Sequence, residues 1–235
     1  MPTRQNEYGQ PIGPAIDGWS PRPRPQRTNM IGRYCRLEPV SVEHHEADLF
    51  AAYMETPDDR DWTYLFHERP QRDEHFRSYL TTLEKSDDPL HFTIVDMDTN
   101  RAAGTAALMR IDPAHGVIEV GSIAFSARLK KTRAATESMY LMMRRAFDEL
   151  GYRRYEWKCD SLNAPSRSAA QRYGFTFEGI FRNAIVYKGR SRDTAWYSIT
   201  VEEWPRVRCA FEAWLDPTNF DERAEQKRRL TEMRS

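Results

Sequence analysis

The feature that most constrains this chain is the stretch Gly116–Phe175, where the hydropathy period changes from strand-like to helical and back. Val117–Phe125 is almost wholly apolar, with Glu119 as its only charge, as expected of a strand buried on both faces. A carboxylate is costly to bury there and needs a partner or a task. Arg128, Lys130, Lys131 and Arg133 follow, with Thr132 placed to cap a helix. Ala135, Met139, Met142, Met143, Ala146 and Leu150 then form one apolar stripe that Gly151 ends, which predicts an amphipathic helix over 132–150. Cations gathered at a helix start, with free backbone N–H groups and the positive dipole end, make a site for a phosphate group. Arg153–Asp160 alternates strictly, charged on one face and Tyr155, Trp157 and Cys159 on the other, as in a half-buried strand. Asn163 opens a short helix with Pro165 in its first turn, and Gly174 closes it.

The flanks supply the remaining layers. Strands are expected over 33–39, 91–96, 103–111, 175–187 and 193–200. Asp98–Arg101 and Lys188–Ser191 serve as hairpin turns. Helices are expected over 42–54, from about Arg72 to Lys85, and over 201–215. Strands alternate with helices while hairpins intervene, so the fold class is α/β in the broad sense, with a mixed α+β sheet. Residues 1–30 carry Pro2, Pro11, Pro14, Pro21, Pro23 and Pro25. They read as an extended arm or a disordered tail, which Tyr8, Ile12, Ile16 and Trp19 could pin to the globule. Residues 216–235 read as a charged tail or solvated helix.

Several function classes lose support at this level. Lys plus Arg and Asp plus Glu both number 35, so bulk charge favours neither a nucleic acid nor a membrane partner. Cys35, Cys159 and Cys209 are few and lack metal spacing, which fits a reducing cytoplasm. His44, His45, His67, His75, His91 and His115 form no ligand pattern, so no metal is expected. No apolar run approaches a membrane span, and neither a nucleophile elbow nor the Gly-Lys-Ser/Thr end of a nucleotide loop occurs.

The order of strand, basic loop at a helix start, strand, and Asn-x-x-Ser on a helix ending in Gly-Phe resembles the acetyl-CoA-binding half of a GNAT-type N-acyltransferase. Three stretches resemble the RimJ/RimL-like branch: Leu129–Glu137, Asn163–Ser166 and Glu178–Arg182. The likeness covers about residues 31–215. The loop departs from the usual R/Q-x-x-G-x-G/A pattern: Lys130 takes the first place, Arg133 the first glycine and Ala135 the second small residue.

The resemblance implies a splayed central sheet flanked by helices and an acetyl group moved from acetyl-CoA to an amine. The backbone of Ile123 and Phe125 and the carboxamide of Asn163 would hold the pantetheine arm. Lys130, Lys131, Thr132, Arg133, Ala134, Ala135 and Thr136 would hold the pyrophosphate. Glu119 reads either as the base, made more basic by desolvation, or as a carboxylate held by a nearby Arg or N–H. Many relatives place a Tyr where this chain has Ala170, so Ser166 would be the acid, or the hydrogen-bond donor, for the leaving thiolate; its other reading is a helix cap. Trp62, Tyr64, Arg182, Tyr187 and Asp193 are candidates for the acceptor pocket, with salt bridges and core packing as their alternative roles. The acceptor is a primary amine, either the α-amine of a peptide or a small molecule, and the protein a monomer or homodimer. The alternatives are a GNAT-shaped CoA-binding or scaffold protein without turnover, and a nucleotide-binding regulator.

Overall fold

Eight strands form one mixed sheet in the order β3-β4-β5-β6-β7-β8-β10-β9. They are β3 (Met30–Ile31), β4 (Cys35–Pro39), β5 (Leu90–Asp96), β6 (Arg101–Asp112), β7 (Val117–Phe125), β8 (Arg154–Asp160), β9 (Thr176–Tyr187) and β10 (Arg190–Thr200). The computed structural model describes residues 4–234; Met1, Pro2 and Thr3 of the proline-rich arm, and Ser235, lie outside the described residues. All neighbours pair antiparallel except β7 and β8, which run parallel. The helices are α1 (Val42–Met54), α2 (Asp73–Lys85), α3 (Arg133–Arg144), α4 (Ala164–Tyr173) and α5 (Trp204–Leu215). Among the described residues no helix is long and apolar enough to cross a membrane.

The expected elements form, with shifts at their ends. The helix expected over 132–150 is α3 followed by a wider π turn at Arg145–Glu149, where Leu150 N–H bonds Arg145 C=O at 3.1 Å. The last long helix starts at Trp204 rather than Val201, with Pro205 in its first turn. Gly174 closes α4 at φ +100°, donating to the carbonyls of Ala170 and Gln171, a conformation that favours glycine.

One sheet face is apolar. Leu90, Phe92, Ile94, Ala106, Leu108, Ile118, Val120, Tyr155, Trp157, Tyr197 and Ile199 pack there under α3, α4 and α5. At about 25 cal/mol per Å² buried, this face is the main source of stability. A smaller cluster of Leu49, Tyr53, Trp62, Phe76, Leu80 and Val95 joins α1 and α2 to the other face.

Both terminal segments are ordered. Arg4–Gln5 (β1) pairs with Pro11–Ile12 (β2). The Trp19 indole N–H then reaches Ala114 C=O at 3.0 Å, and its ring packs against Gly116, where a Cβ would stand 2.5 Å from it. Tyr8, Ile12 and Ile16 are exposed, so of the four expected anchors only Trp19 acts as one. Beyond α5 the expected solvated tail is corrected. Phe220 and Leu230 are buried in the main core, and the Asn219 side chain bonds the backbone of Trp214 and Arg228. Burial of two large apolar side chains outweighs the polarity of the residues between them.

Candidate active site

The strand pair β7–β8 holds together only from Val117–Arg154 to Val120–Trp157 and then parts. The cause lies in β7: between Ala124 and Gly121, which face Thr105 and Ala107, two residues oppose one on β6, and Ser122 sits at φ +50°. A bulge of this kind bends the strand away from its neighbour. Ile123 and Phe125 line the gap that opens, opposite Cys159 and Asp160. The gap is part of a cleft of about 1620 Å³ that runs from the N-terminus of α3 to the aromatic residues beneath α2.

Thr132 caps α3 by accepting from Ala135 N–H at 3.1 Å. The N–H groups of Arg133 and Ala134 are in the first turn and have no acceptor within their own helix. Four free cations are not what surrounds them. Lys130 pairs with Asp61 at 2.5 Å, Arg128 pairs with Glu55, and Arg133 lies over the rings of Tyr34 and Phe220 at 4.6 and 5.1 Å. Lys131 holds φ +64° in the loop. Other cations arrive from segments distant in sequence. Arg172 on α4 donates to Thr136 Oγ1 at 3.2 Å, and Lys227 and Arg229 of the C-terminal segment line the same end of the cleft. Cations at the start of α3 are thus supplied in part by Arg172 and the C-terminal segment, beside N–H groups that have no acceptor within the helix.

Across the gap, Asn163 caps α4 by accepting from Ser166 N–H at 3.1 Å, which leaves its amide NH₂ as a donor. Ser166 Oγ accepts from the Trp157 indole at 3.0 Å, and its own proton faces the neighbouring Cys159 sulfur. Beside it, burial pushes the Cys159 thiol above its ordinary pKa, opposed by a hydrogen bond from Ser166.

On the polar face of the sheet Glu119 is 2 % exposed. It is not a lone carboxylate among apolar neighbours. Arg110 Nη1 lies 2.7 and 2.8 Å from its two oxygens, and Lys158 Nζ lies 3.0 Å away. Lys158 also pairs with Glu156 at 2.6 Å, and Arg154 joins Glu156 to Glu178. The parallel register puts Glu119 level with Glu156, so Lys158 between them relieves the repulsion of two buried anions.

The candidate acceptor residues separate. Tyr64 lines the cleft and donates to Leu162 C=O at 3.2 Å. Trp62 also touches the cleft but is 3 % exposed and packs edge-on to Tyr53 and Tyr79, while its carbonyl accepts from Lys188. Arg182 is exposed on the edge strand β9, outside the cleft, in a stretch where residues on both faces are exposed. Tyr187 sits behind the wall and donates to Asp160 at 2.9 Å, and Asp193 binds Asn183 N–H within the hairpin.

A family model described as an acetyltransferase (GNAT) domain matches residues 35–176. The chain belongs to the GNAT acetyltransferase family. A GCN5-related N-acetyltransferase from Brucella melitensis superposes with TM-score 0.92 at 49% identity, covering 93% of this chain and 99% of that one. A GNAT-family protein from Chromobacterium violaceum gives TM-score 0.77 at 36% identity over 83% and 98% of the two chains. A Salmonella typhimurium acetyltransferase, described as modifying the N-terminal serine of a 50S ribosomal subunit protein, shares the fold with TM-score 0.62 at 18% identity, over 74% and 99%. No curated protein matches.

This acetyltransferase carries cleft residues that sequence reading did not single out. His91 is 3 % exposed on β5, and its Nδ1 has no hydrogen-bond partner among the described residues. Burial, with the charges of His67 and Arg27, lowers its pKa to about 4, so the ring is neutral at pH 7. Arg172 and Arg192 also belong to the cleft. A lone histidine in a strand or an arginine on a helix has no local signal; strand alternation places His91 on the polar face only once the register is known.

Proposed function

We propose that this chain is an acetyl-CoA-dependent N-acetyltransferase of RimJ/RimL-like type, acting by direct transfer to a primary amine in a ternary complex. The observation that carries the reading is the parting of β7 from β8 after Val120 and Trp157, between the α3 N-terminus and a polar floor. Strand edges freed in this way offer backbone donors and acceptors to an extended amide chain, and the helix start suits a pyrophosphate.

Bound acetyl-CoA would supply an activated acetyl carbonyl. The backbone of Ile123 and Phe125, with the NH₂ of Asn163, would hold its amide-bearing arm. N–H groups over 131–136, with Lys131, Arg133 and Arg172, would hold its phosphates. Glu119, fixed in place by Arg110 and Lys158, would take the proton of the incoming amine, directly or through water. Ser166 would donate a hydrogen bond to the sulfur as it leaves as the thiolate, keeping its own O–H bond while the thiolate takes its proton from solvent. Holding both substrates in line would supply much of the acceleration.

Tyr64 and the rings beneath α2 would border the acceptor. The activity described for the Salmonella relative supports a peptide α-amine, with small-molecule amines as the second acceptor class. Cys35, Cys159 and Cys209 are free thiols, which fits a cytoplasmic enzyme.

Thermal unfolding with and without acetyl-CoA tests the cofactor. At about a hundredfold above a micromolar Kd, binding adds roughly 2.7 kcal/mol and raises Tm by about 5 to 10 °C. ATP and NAD should give no shift. Absence of a shift with acetyl-CoA overturns the reading. A shift without thiol release for any primary amine makes the chain a CoA-binding protein without turnover.

A further inference from the structure

Among the described residues, the charges buried in this protein are compensated with one exception. Glu119 and Glu156 share Lys158 and have Arg110 and Arg154. Asp160 accepts from the Tyr187 hydroxyl and Leu162 N–H, Glu137 accepts three backbone N–H groups, and Arg145 pairs with Glu149.

Arg192 on β10 is 6 % exposed, yet among the described residues no carboxylate lies within ion-pairing distance of it. Its Nε donates to Thr194 Oγ1 at 3.2 Å, and the rings of Phe66 and Tyr187 lie 5.6 and 5.9 Å from its guanidinium carbon. Ring faces compensate a cation only in part. Its two terminal amino groups have no acceptor among the described residues, and the side chain lines the cleft.

The fork opens onto the cleft without a protein acceptor among the described residues, and a guanidinium fork matches a carboxylate with two parallel hydrogen bonds. We propose that Arg192 is the receptor for a carboxylate carried by the acceptor, so that preferred acceptors hold a primary amine and a carboxylate in one molecule. This rests on the acetyltransferase reading above, which puts the acceptor on the polar face.

Placement supports that source. Arg192 and Thr194 share the face that carries Asp160, Lys158 and Glu119: Thr194 is level with Asp160, and Trp196 with Lys158. The phosphates of the donor would lie at the α3 N-terminus, whereas the Arg192 guanidinium lies beside the rings of Phe66 and Tyr187. The remaining source of a carboxylate near the reacting centre is the acyl group itself, as in a succinyl thioester.

The test uses the full chain and three matched pairs: phenylalanine with phenylalaninamide, β-alanine with β-alaninamide, and Ala-Asp-amide with Ala-Asn-amide. Calorimetric binding in the presence of CoA is measured alongside turnover with acetyl-CoA and with succinyl-CoA. In at least one pair the carboxylate member should bind and turn over about 10 to 100 times better, the range of a charge-assisted hydrogen bond. Arg192→Gln should bring that ratio to within about threefold of one, mainly through KM, and Arg192→Lys should restore part of it. Unchanged Tm and an unchanged acetyl-CoA shift in the Gln variant exclude misfolding.

No preference in any pair, or a preference that survives Arg192→Gln, overturns the proposal. So does a preference for succinyl-CoA that is lost in the variant while the acceptor ratio stays. Carboxylate binding that depends on Arg192 without any turnover would uphold the receptor and sink the acetyltransferase reading instead.

Discussion

The two faces of the central sheet are built from the same strands and have opposite chemistry. Under α3, α4 and α5, Phe92, Leu108, Ile118 and Tyr155 make a closed apolar layer. One residue along each strand, the other face presents His91, Thr105, Glu119, Glu156, Lys158, Asp160 and Arg192, all but Lys158 less than 9 % exposed as whole residues. Helices α1 and α2 cover only part of that face, and the cleft occupies the rest. The apolar face holds the fold together, and the polar face carries paired charges. Arg192 differs from its neighbours there in having no carboxylate in ion-pairing distance among the described residues.

Perturbing the polar face should therefore cost more than perturbing exposed charges. Lys158→Met leaves Glu119 and Glu156 facing each other, and should lower the unfolding free energy in urea by about 3–5 kcal/mol. A loss below about 1 kcal/mol would mean the network is not a stabilising unit.

His91 gives a pH dependence of similar size. Its folded pKa is about 4 against an unfolded value near 6.5, so the unfolded chain binds the proton first as pH falls. Its stability is whole above about pH 6.5 and declines toward pH 4, by on the order of 3 kcal/mol in all. His91→Phe should flatten that window of the stability–pH curve, and an unchanged slope would place the acid sensitivity elsewhere.

Glu119→Gln should reduce kcat about 100-fold and alter the pH–rate profile while sparing the acetyl-CoA thermal shift. An unaltered profile removes Glu119 from the proton transfer. Ser166→Ala should cost about tenfold in kcat; normal turnover would leave Ser166 only its contact with Trp157. The smallest effect belongs to Arg77→Ala, which deletes an ion pair to Glu46 between α1 and α2 and should change stability by less than about 1 kcal/mol in urea.

Much of the scaffold was legible because its signals are local. The Thr132 cap, the stripe along α3, the Asn163 and Gly174 ends of α4 and the alternation over 154–160 each lie within a few residues of what they specify. The C-terminal segment was misread because Phe220 and Leu230 are isolated apolar residues in a charged stretch, and only the core they reach reveals their role. Arg182 and Tyr187 were candidates for the acceptor pocket beside Trp62 and Tyr64, but Arg182 is exposed on the edge strand β9 and Tyr187 lies behind Asp160.

By itself the sequence determined the order of elements, the buried strand before a helix start, and the polar residues available at the gap, since periodicity and capping act over one or two turns. Tertiary structure alone decided that Glu119 lies between Arg110 and Lys158, that Lys130 is engaged by Asp61, and that Arg192 has no ion-pair partner among the described residues. Those facts depend on strand register and on which loop crosses which strand end. Charge pairing acts over a few ångströms between residues far apart along the chain, and no local pattern encodes that distance.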